Sequence, residues 1–388
     1  MVAALDDYKL VIVGSGFFGS TVAHRMATEY GVNTLVLEQR NHIGGNAYSK
    51  VDDATAIEYH VYGSHIFHTS SAPVWEFIRK FTAFNNYRHR VFIRHGNRVF
   101  TMPINLMTIN EFYGRNFSPA EARVFLAGEV ARDAVASPAN FEEKAVSLIG
   151  RPLYEAFIRG YSQKQWEVDP SALPAETIAR LPVRLSYNDF YFGDTHEGIP
   201  LDGYTRIFER MLRHDRIIVK TGCDYFAVAE QLSPTALIVF TGPIDAYYRF
   251  QRGHLGWRTL DLELERLPIE DFQGTTVMNY ADTDVRFTRI HEFRHYHPER
   301  RYSNKWTLIM REYSRTAGRG DEPYYPVNTA RDKALYEQYR ARAEQETRVI
   351  FGGRLGTYRY LDMHQAIGAA LKAVDSEVVP RLRRLGHL

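Results

Sequence analysis

The chain has almost no cysteine: among 388 residues only Cys223 is present, so no internal disulfide can form. That fits a reducing compartment, and a cytoplasmic location is the expectation. Neither charge is in surplus, with 48 Lys and Arg against 46 Asp and Glu for a formal net charge of +2. Without a basic tail or run there is no bulk attraction to nucleic acid, which is not expected as a partner. No apolar run is long enough to span a bilayer, and Asp6 and Asp7 ahead of one short apolar strand leave no signal peptide readable. Repeats and low-complexity tracts are missing as well. Tryptophan is scarce at 4 residues while tyrosine reaches 25, a bias towards rings that carry a polar tip into a binding site. What remains is 45% hydrophobic, enough for a large core divided over two or three structural units.

The most specific pattern lies at the start. Leu10 to Val13 reads as a buried strand, Gly14-Ser15-Gly16-Phe17-Phe18-Gly19 follows, then a helical stretch, then Thr34 to Leu37 ending in Glu38. Gly14 suits the tight turn, Gly16 the approach of backbone amides to a pyrophosphate, and Gly19 the packing of helix on sheet, while Glu38 sits where a ribose is held. Strand, helix, strand and terminal acid in order predict an adenine dinucleotide. The following turn, Arg40 to Ala47 with Gly44-Gly45-Asn46, resembles the second flavin loop of amine-oxidase-like flavoproteins and turns the expectation from nicotinamide to flavin.

Further along, the patterns alternate in a way that predicts interleaved domains. A hairpin is expected around His95-Gly96-Asn97, helices from Leu106 to Gln165 with a capping box at Ser118 to Glu121, and strands at 258–267, 275–279, 285–293 and 306–313. Ala236 to Pro243 and Val349 to Phe351 read as returns to the nucleotide-binding sheet. On the strand expected over 285–293, Val285, Phe287, Arg289, His291 and Phe293 share one face, so the Arg289 guanidinium sits among residues that want burial. It requires either an internal carboxylate or an anionic ligand, and a diphosphate suits its planar fork. His65 and His68 have a ligand-like spacing, but no Cys or carboxylate cluster accompanies them in sequence and no metal is expected. Phe157 and Tyr161 lie four apart at a helix end beside Gln163-Lys164-Gln165-Trp166, a patch able to stack a nucleobase.

Six separated motifs together resemble one family. These are Gly63-Ser64-His65-Ile66-Phe67-His68-Thr69, Gly160-Tyr161-Ser162-Gln163-Lys164-Gln165-Trp166, Arg180-Leu181-Pro182-Val183-Arg184, Phe287-Thr288-Arg289-Ile290, Glu322-Pro323-Tyr324-Tyr325-Pro326, and Gly353-Arg354-Leu355-Gly356-Thr357-Tyr358-Arg359-Tyr360-Leu361-Asp362-Met363. The chain is similar to the prokaryotic UDP-galactopyranose mutases. The resemblance implies an α/β fold with a discontinuous Rossmann-like FAD domain (1–82, 197–250 and 328–388), a small helical domain with a mobile substrate lid (107–175) and a twisted antiparallel sheet domain (83–106, 176–196 and 251–327). It implies an isomerase that interconverts UDP-galactopyranose and UDP-galactofuranose for cell-wall or surface glycans. Only reduced FAD works in the family, through a covalent adduct of the anomeric carbon with flavin N5, so a reductant such as NAD(P)H and a homodimer are expected.

By the same resemblance Arg180 and Arg289 hold the diphosphate, and His65 and Asp362 join them in the catalytic set. Phe157 and Tyr161 correspond to the uracil-stacking pair and Trp166 to the lid residue, with Ser162, Leu181, Tyr191, Asn279, Tyr325 and Tyr360 as further substrate contacts and Tyr324 as the fallback tyrosine. Gly14, Gly16, Phe18, Gly19 and Glu38 face the cofactor, as do Gly45, Asn46, Ser64 and His65, and finally Arg354, Asp362 and Met363. The chain departs from many members at Ser162, at Phe287, where a phenol is lost, and at His89. A flavin-dependent amine oxidase or desaturase shares the first domain and is the alternative, followed by a non-catalytic nucleotide-sugar binding protein.

Overall fold

The computed structural model describes residues 5–133, 135–178 and 182–388. Its first layer is a parallel sheet of five strands in the order Val349–Phe351, Leu237–Phe240, Leu10–Val13, Thr34–Leu37 and Ile217–Lys220. These strands are short apolar runs because helices cover both faces, which removes the need for a polar alternation. The helix Phe17–Tyr30 packs on this sheet through Val22, Ala23 and Met26, together with Met363–Ala373 from the far end of the chain. Strands far apart in sequence, such as Leu10–Val13 and Leu237–Phe240, thus meet at one glycine-rich turn, and the fold is mixed α/β.

The second sheet has seven strands, ordered Tyr325–Pro326, Trp257–Leu267, Thr307–Thr316, Arg289–Glu292, Val277–Tyr280, Val91–His95 and Arg98–Met102. All pairings are antiparallel except Val277–Tyr280 with Val91–His95, which is parallel because the helical layer is inserted between them in sequence. The hairpin at Gly96 forms as expected, with Gly96 at φ +57°. The strand expected over 285–293 is shorter, Arg289–Glu292, and both of its faces are covered: Ile290 and Glu292 are as buried as His291. Residues 285–287 lie outside the ladder, where the carbonyl of Phe287 accepts from Lys164 Nζ at 3.1 Å instead.

Against the second sheet packs a helical layer, Leu106–Tyr113, Pro119–Arg132 and Phe141–Ile149, started by side-chain caps at Asn105, Ser118 and Asn140. Its continuation is a π-helical turn, Tyr154–Arg159, that runs into the helix Gly160–Trp166. Such a turn re-aims side chains. Here it brings Phe157 and Tyr161 to one wall of a cavity.

Candidate active site

A cavity of about 380 Å³ opens where the parallel sheet, the mixed sheet and the helical layer meet. A separate open crevice, about 650 Å³, is lined by Arg206, Arg210 and Arg300, whose guanidiniums pair with Glu209, Asp202 and Glu58. It does not include Arg289, whereas the first cavity takes in Arg289, Glu312, His65, Arg354 and Asp362, so the chemistry gathers there.

Beside the cavity, adjoining it through the lining residue Asn46, is the dinucleotide fingerprint. Gly14 has φ +98°, and a Cβ there would lie 2.1 Å from Thr241 Oγ1; a Cβ on Gly19 would lie 2.0 Å from the Gly14 carbonyl oxygen. Gly45, at φ +56°, approaches the Gly16 backbone so closely that its Cβ would sit 3.2 Å from Gly16 Cα. The helix Phe17–Tyr30 opens at Gly16 with no side chain capping it, so its first amides face outward as an anion cradle. This backbone-lined groove fits a pyrophosphate. Glu38 is nearly buried and accepts from the Ser15 amide at 3.0 Å, the Ser15 hydroxyl at 2.7 Å and the Arg40 amide at 3.0 Å, which orients it beside the turn. The Phe18 ring is buried against Gly352 and Gly353. Asn46 Oδ1 accepts from Arg40 Nη2 at 2.9 Å.

The next wall carries Ser64, His65, Arg354, Asp362 and Met363. The His65 amide donates to His60 Nδ1 at 3.0 Å, and its own Nδ1 lies 2.7 Å from the Gly63 carbonyl. Burial drives the pKa of His60 down to about 3 and that of His65 to about 4, so both imidazoles are neutral. Arg354 donates to the Leu361 carbonyl at 2.7 Å and stands 5.0 Å from the centre of the Tyr360 ring, which stacks with Tyr325. Asp362 caps the helix that Met363 begins. The fold also gives His68 what the sequence did not show beside it: Asp194 lies 2.7 Å from its Nδ1, and, apart from that pair, His68, Asp362 and His364 bring their ligand atoms within 4.8 Å of one another.

Opposite stands Arg289. Its Nε lies 3.3 Å from Glu312 Oε1, and Nη2 donates to the Tyr161 hydroxyl. Burial works to raise the Glu312 carboxyl, but Arg289 and His291 pull it down to about 2, so it stays ionised. Burial raises the Tyr161 phenol to about 12 and keeps its proton on. Phe157, 1% exposed, meets Phe100 and Phe112 edge-on. Asn279 lines the cavity with a buried Oδ1 that has no hydrogen-bond partner, and Tyr191 stands at the mouth, 45% exposed.

Not every expected residue comes to the cavity. Ser162 is buried away from it, and Trp166 packs partly against the core of the helical layer. Arg180 and Leu181 lie outside the described residues. Sequence reasoning did not find Glu312 or Tyr296, and it named His291, His68 and His89 without giving them a place in the site. Glu312 had a signal, a carboxylate on the strand face that carries the apolar Leu308 and Met310.

Fold and site together define a Rossmann-type dinucleotide-binding enzyme with a charged, ring-lined cavity against its glycine turn. Residues 12–81 match the model of an NAD(P)-binding Rossmann-like domain, and residues 156–360 match that of UDP-galactopyranose mutase. A probable UDP-galactopyranose mutase of Klebsiella pneumoniae is 42% identical over 371 residues, 96% of this chain and 95% of the relative. A dTDP-fucopyranose mutase of Escherichia coli is 39% identical, over 95% and 97% of the two chains. The chain belongs to the UDP-galactopyranose mutase family, which is a family of isomerases. In fold it is similar to a crystal structure of reduced UDP-galactopyranose mutase, with a TM-score of 0.71 at 14% identity over 98% and 95% of the chains, and to a putative protoporphyrinogen oxidase from Exiguobacterium, TM-score 0.62 at 12% identity over 97% and 100%.

Proposed function

We propose that the enzyme interconverts UDP-galactopyranose and UDP-galactofuranose with reduced FAD as its cofactor, and so supplies galactofuranose for cell-wall or surface glycans. The observation that carries the reading is the placement of Arg289, Tyr161, Phe157 and Asn279 across one cavity from Arg354, Tyr360 and Asp362, with the glycine cradle alongside. Gly14, Gly16, Gly19 and Gly45 would hold the pyrophosphate of FAD by their backbone, Glu38 its ribose, and Ser64, His65, Arg354 and Met363 its ring system. When bound and reduced, FAD would supply a nucleophilic nitrogen, N5, for the anomeric carbon. The protein's part is positional and electrostatic. Arg289, and by resemblance Arg180, neutralise the diphosphate as negative charge grows on it, and the low dielectric of the buried site strengthens that interaction. Phe157 and Tyr161 stack the uracil, and Tyr191, Asn279, Tyr325 and Tyr360, with Leu181 by resemblance, orient the rest. Trp166 covers the ligand on closure, and the neutral His65 adds no competing cation beside the sugar. A cytoplasmic homodimer fed with electrons by NAD(P)H completes the reading.

The test offers dithionite-reduced enzyme UDP-galactofuranose and, separately, dTDP-fucofuranose, and follows isomer formation by chromatography. Turnover of the UDP sugar by the reduced form alone is the expected result. Turnover of the dTDP sugar alone would move the substrate to that of the Escherichia coli relative, and oxygen consumption with an amine would return the oxidase alternative.

A further inference from the structure

Behind Arg289 an ion pair and then a hydrogen-bond chain lead out of the anion site and into the opposite wall of the cavity. Glu312 Oε1 makes the ion pair with Arg289 Nε at 3.3 Å, where Nε has no hydrogen-bond partner among the described residues, and Oε2 accepts from His291 Nε2 at 3.0 Å. His291 Nδ1 lies 2.6 Å from Ser64 Oγ, and Ser64 Oγ in turn meets the Tyr296 hydroxyl. His291, Glu312 and Tyr296 are all within a few per cent of complete burial. Because the carboxylate can only accept, the direction of the chain is set: His291 donates through Nε2, its Nδ1 must then accept from Ser64, and Ser64 accepts from Tyr296. Burial lowers the His291 pKa, which keeps the ring in that single-proton form.

Ser64 is the residue between Gly63 and His65, the stretch of wall assigned above to the flavin ring. Gly63 has φ +89°, and a Cβ on it would come within 3.7 Å of Glu312 Oε2, so the loop lies directly on the carboxylate. We propose that Glu312, His291 and Ser64 form a relay that couples the anion bound at Arg289 to the position of the Gly63–His65 loop, with Ser64 as the positioning residue; this rests on the reading of the site under Proposed function. A diphosphate on the open edge of Arg289 competes with Glu312 for the guanidinium. The carboxylate then leans on His291, the imidazole follows it, and Ser64 moves with the imidazole. The buried His291 and Glu312 side chains hold each other's polar atoms, and breaking that hydrogen bond is costly, so a displacement at one end is felt at the other. Linkage makes the effect reciprocal: the factor by which flavin reduction changes the affinity for the anion is the factor by which the anion changes the flavin's reduction equilibrium.

The experiment measures UDP affinity by calorimetry on FAD-loaded protein in the oxidised and the dithionite-reduced states, for the wild type, Ser64→Ala, Ser64→Thr and His291→Phe, with thermal melting of each. The expected ratio of the two affinities in the wild type is roughly five-fold or more, the lower end of usual couplings. Ser64→Ala and His291→Phe should bring the ratio close to one, and Ser64→Thr, which keeps the hydroxyl, should retain it. A wild-type ratio near one, or a wild-type ratio preserved in both Ser64→Ala and His291→Phe, overturns the relay even where melting temperature falls, since a merely structural role moves the latter alone. Failure of UDP to bind in either state would overturn the reading of the site itself, and the relay with it.

Discussion

Arg289 and Glu312 face each other across two adjacent strands, in register, with Nε 3.3 Å from Oε1. The sequence posed two alternatives for this guanidinium, an internal carboxylate or an external anion. The fold uses both edges. The Nε edge leans on Glu312 inside the sheet, and the Nη edge reaches Tyr161 and the cavity.

Arg289→Ala should therefore carry two separable penalties. It orphans a buried carboxylate, which costs about 3–5 kcal/mol of stability, and it removes a charge-assisted donor from the diphosphate, worth about 10²–10³ in turnover. The double variant Arg289→Ala with Glu312→Gln should regain much of the melting temperature and none of the turnover. Thermal melting and steady-state kinetics on the three proteins decide it: a single variant that melts like the wild type would mean that Glu312 is satisfied without Arg289.

The glycine turn and four strands of the parallel sheet were legible, though not their order or the edge strand Ile217–Lys220, because local chemistry dictates them: Gly14 and Gly45 need positive φ, and short apolar runs need two covered faces. The site was legible one side at a time. Arg289 drew attention as a cation in an apolar stretch, but Glu312 lies on the next strand of the chain and becomes its partner only through strand register, which no local pattern encodes. The same holds for Ser64 and His291, separated by 227 residues. The strand at 285–293 was overestimated because its alternating residues fit a half-buried ladder, whereas tertiary contacts cover both faces from Arg289 onward and release 285–287 to the carbonyl cluster around Lys164.

Acid should weaken the fold well before carboxylates titrate. Burial holds His60 and His89 near pKa 3 and His65 near 4, against about 6.5 in an unfolded chain. Below pH about 6.5 the unfolded state takes up protons that the folded state refuses, so stability falls with falling pH, by up to about 1.4 kcal/mol per pH unit for each such histidine. Glu312, lowered to about 2, adds a further loss between the ordinary glutamate range and that value. Urea titrations at a series of pH values between 7.5 and 5 check the slope; a flat profile over that window would contradict neutral, buried imidazoles.

The turn after Trp166 is held by a buried arginine. Arg258, 1% exposed, donates to Glu167 Oε2 at 3.0 Å, to Thr316 Oγ1 at 2.8 Å and to the Trp166 carbonyl at 3.3 Å. If Trp166 covers the ligand, UDP should change the tryptophan emission, and Trp166→Ala should abolish most of that change. Arg258→Met should release the turn, so that acrylamide quenches the free protein more strongly while UDP restores protection. An undiminished UDP response in Trp166→Ala would assign the signal to one of the other three tryptophans and remove the support for closure.

Gly14 and Gly16 make opposite predictions although they stand two residues apart. Gly14 needs its glycine for the protein's own sake: φ is +98°, and a methyl group would strike Thr241 Oγ1, which is itself bound to the Val13 carbonyl at 2.7 Å. Gly14→Ala should thus unfold the turn with or without cofactor. Gly16 has an ordinary extended backbone, φ −69° and ψ −177°, and a Cβ there would meet nothing of the protein closer than Gly45 Cα at 4.0 Å. The fold does not require a glycine at this position, but a pyrophosphate lying on the amides of the helix start does. Gly16→Ala should leave the melting of the flavin-free protein within about 0.5 kcal/mol of the wild type, as for substitutions that disturb no packing, while the flavin content of the purified protein, read from its visible absorbance, drops steeply. Full flavin loading in Gly16→Ala would place the dinucleotide's phosphates elsewhere and defeat the assignment of the cradle.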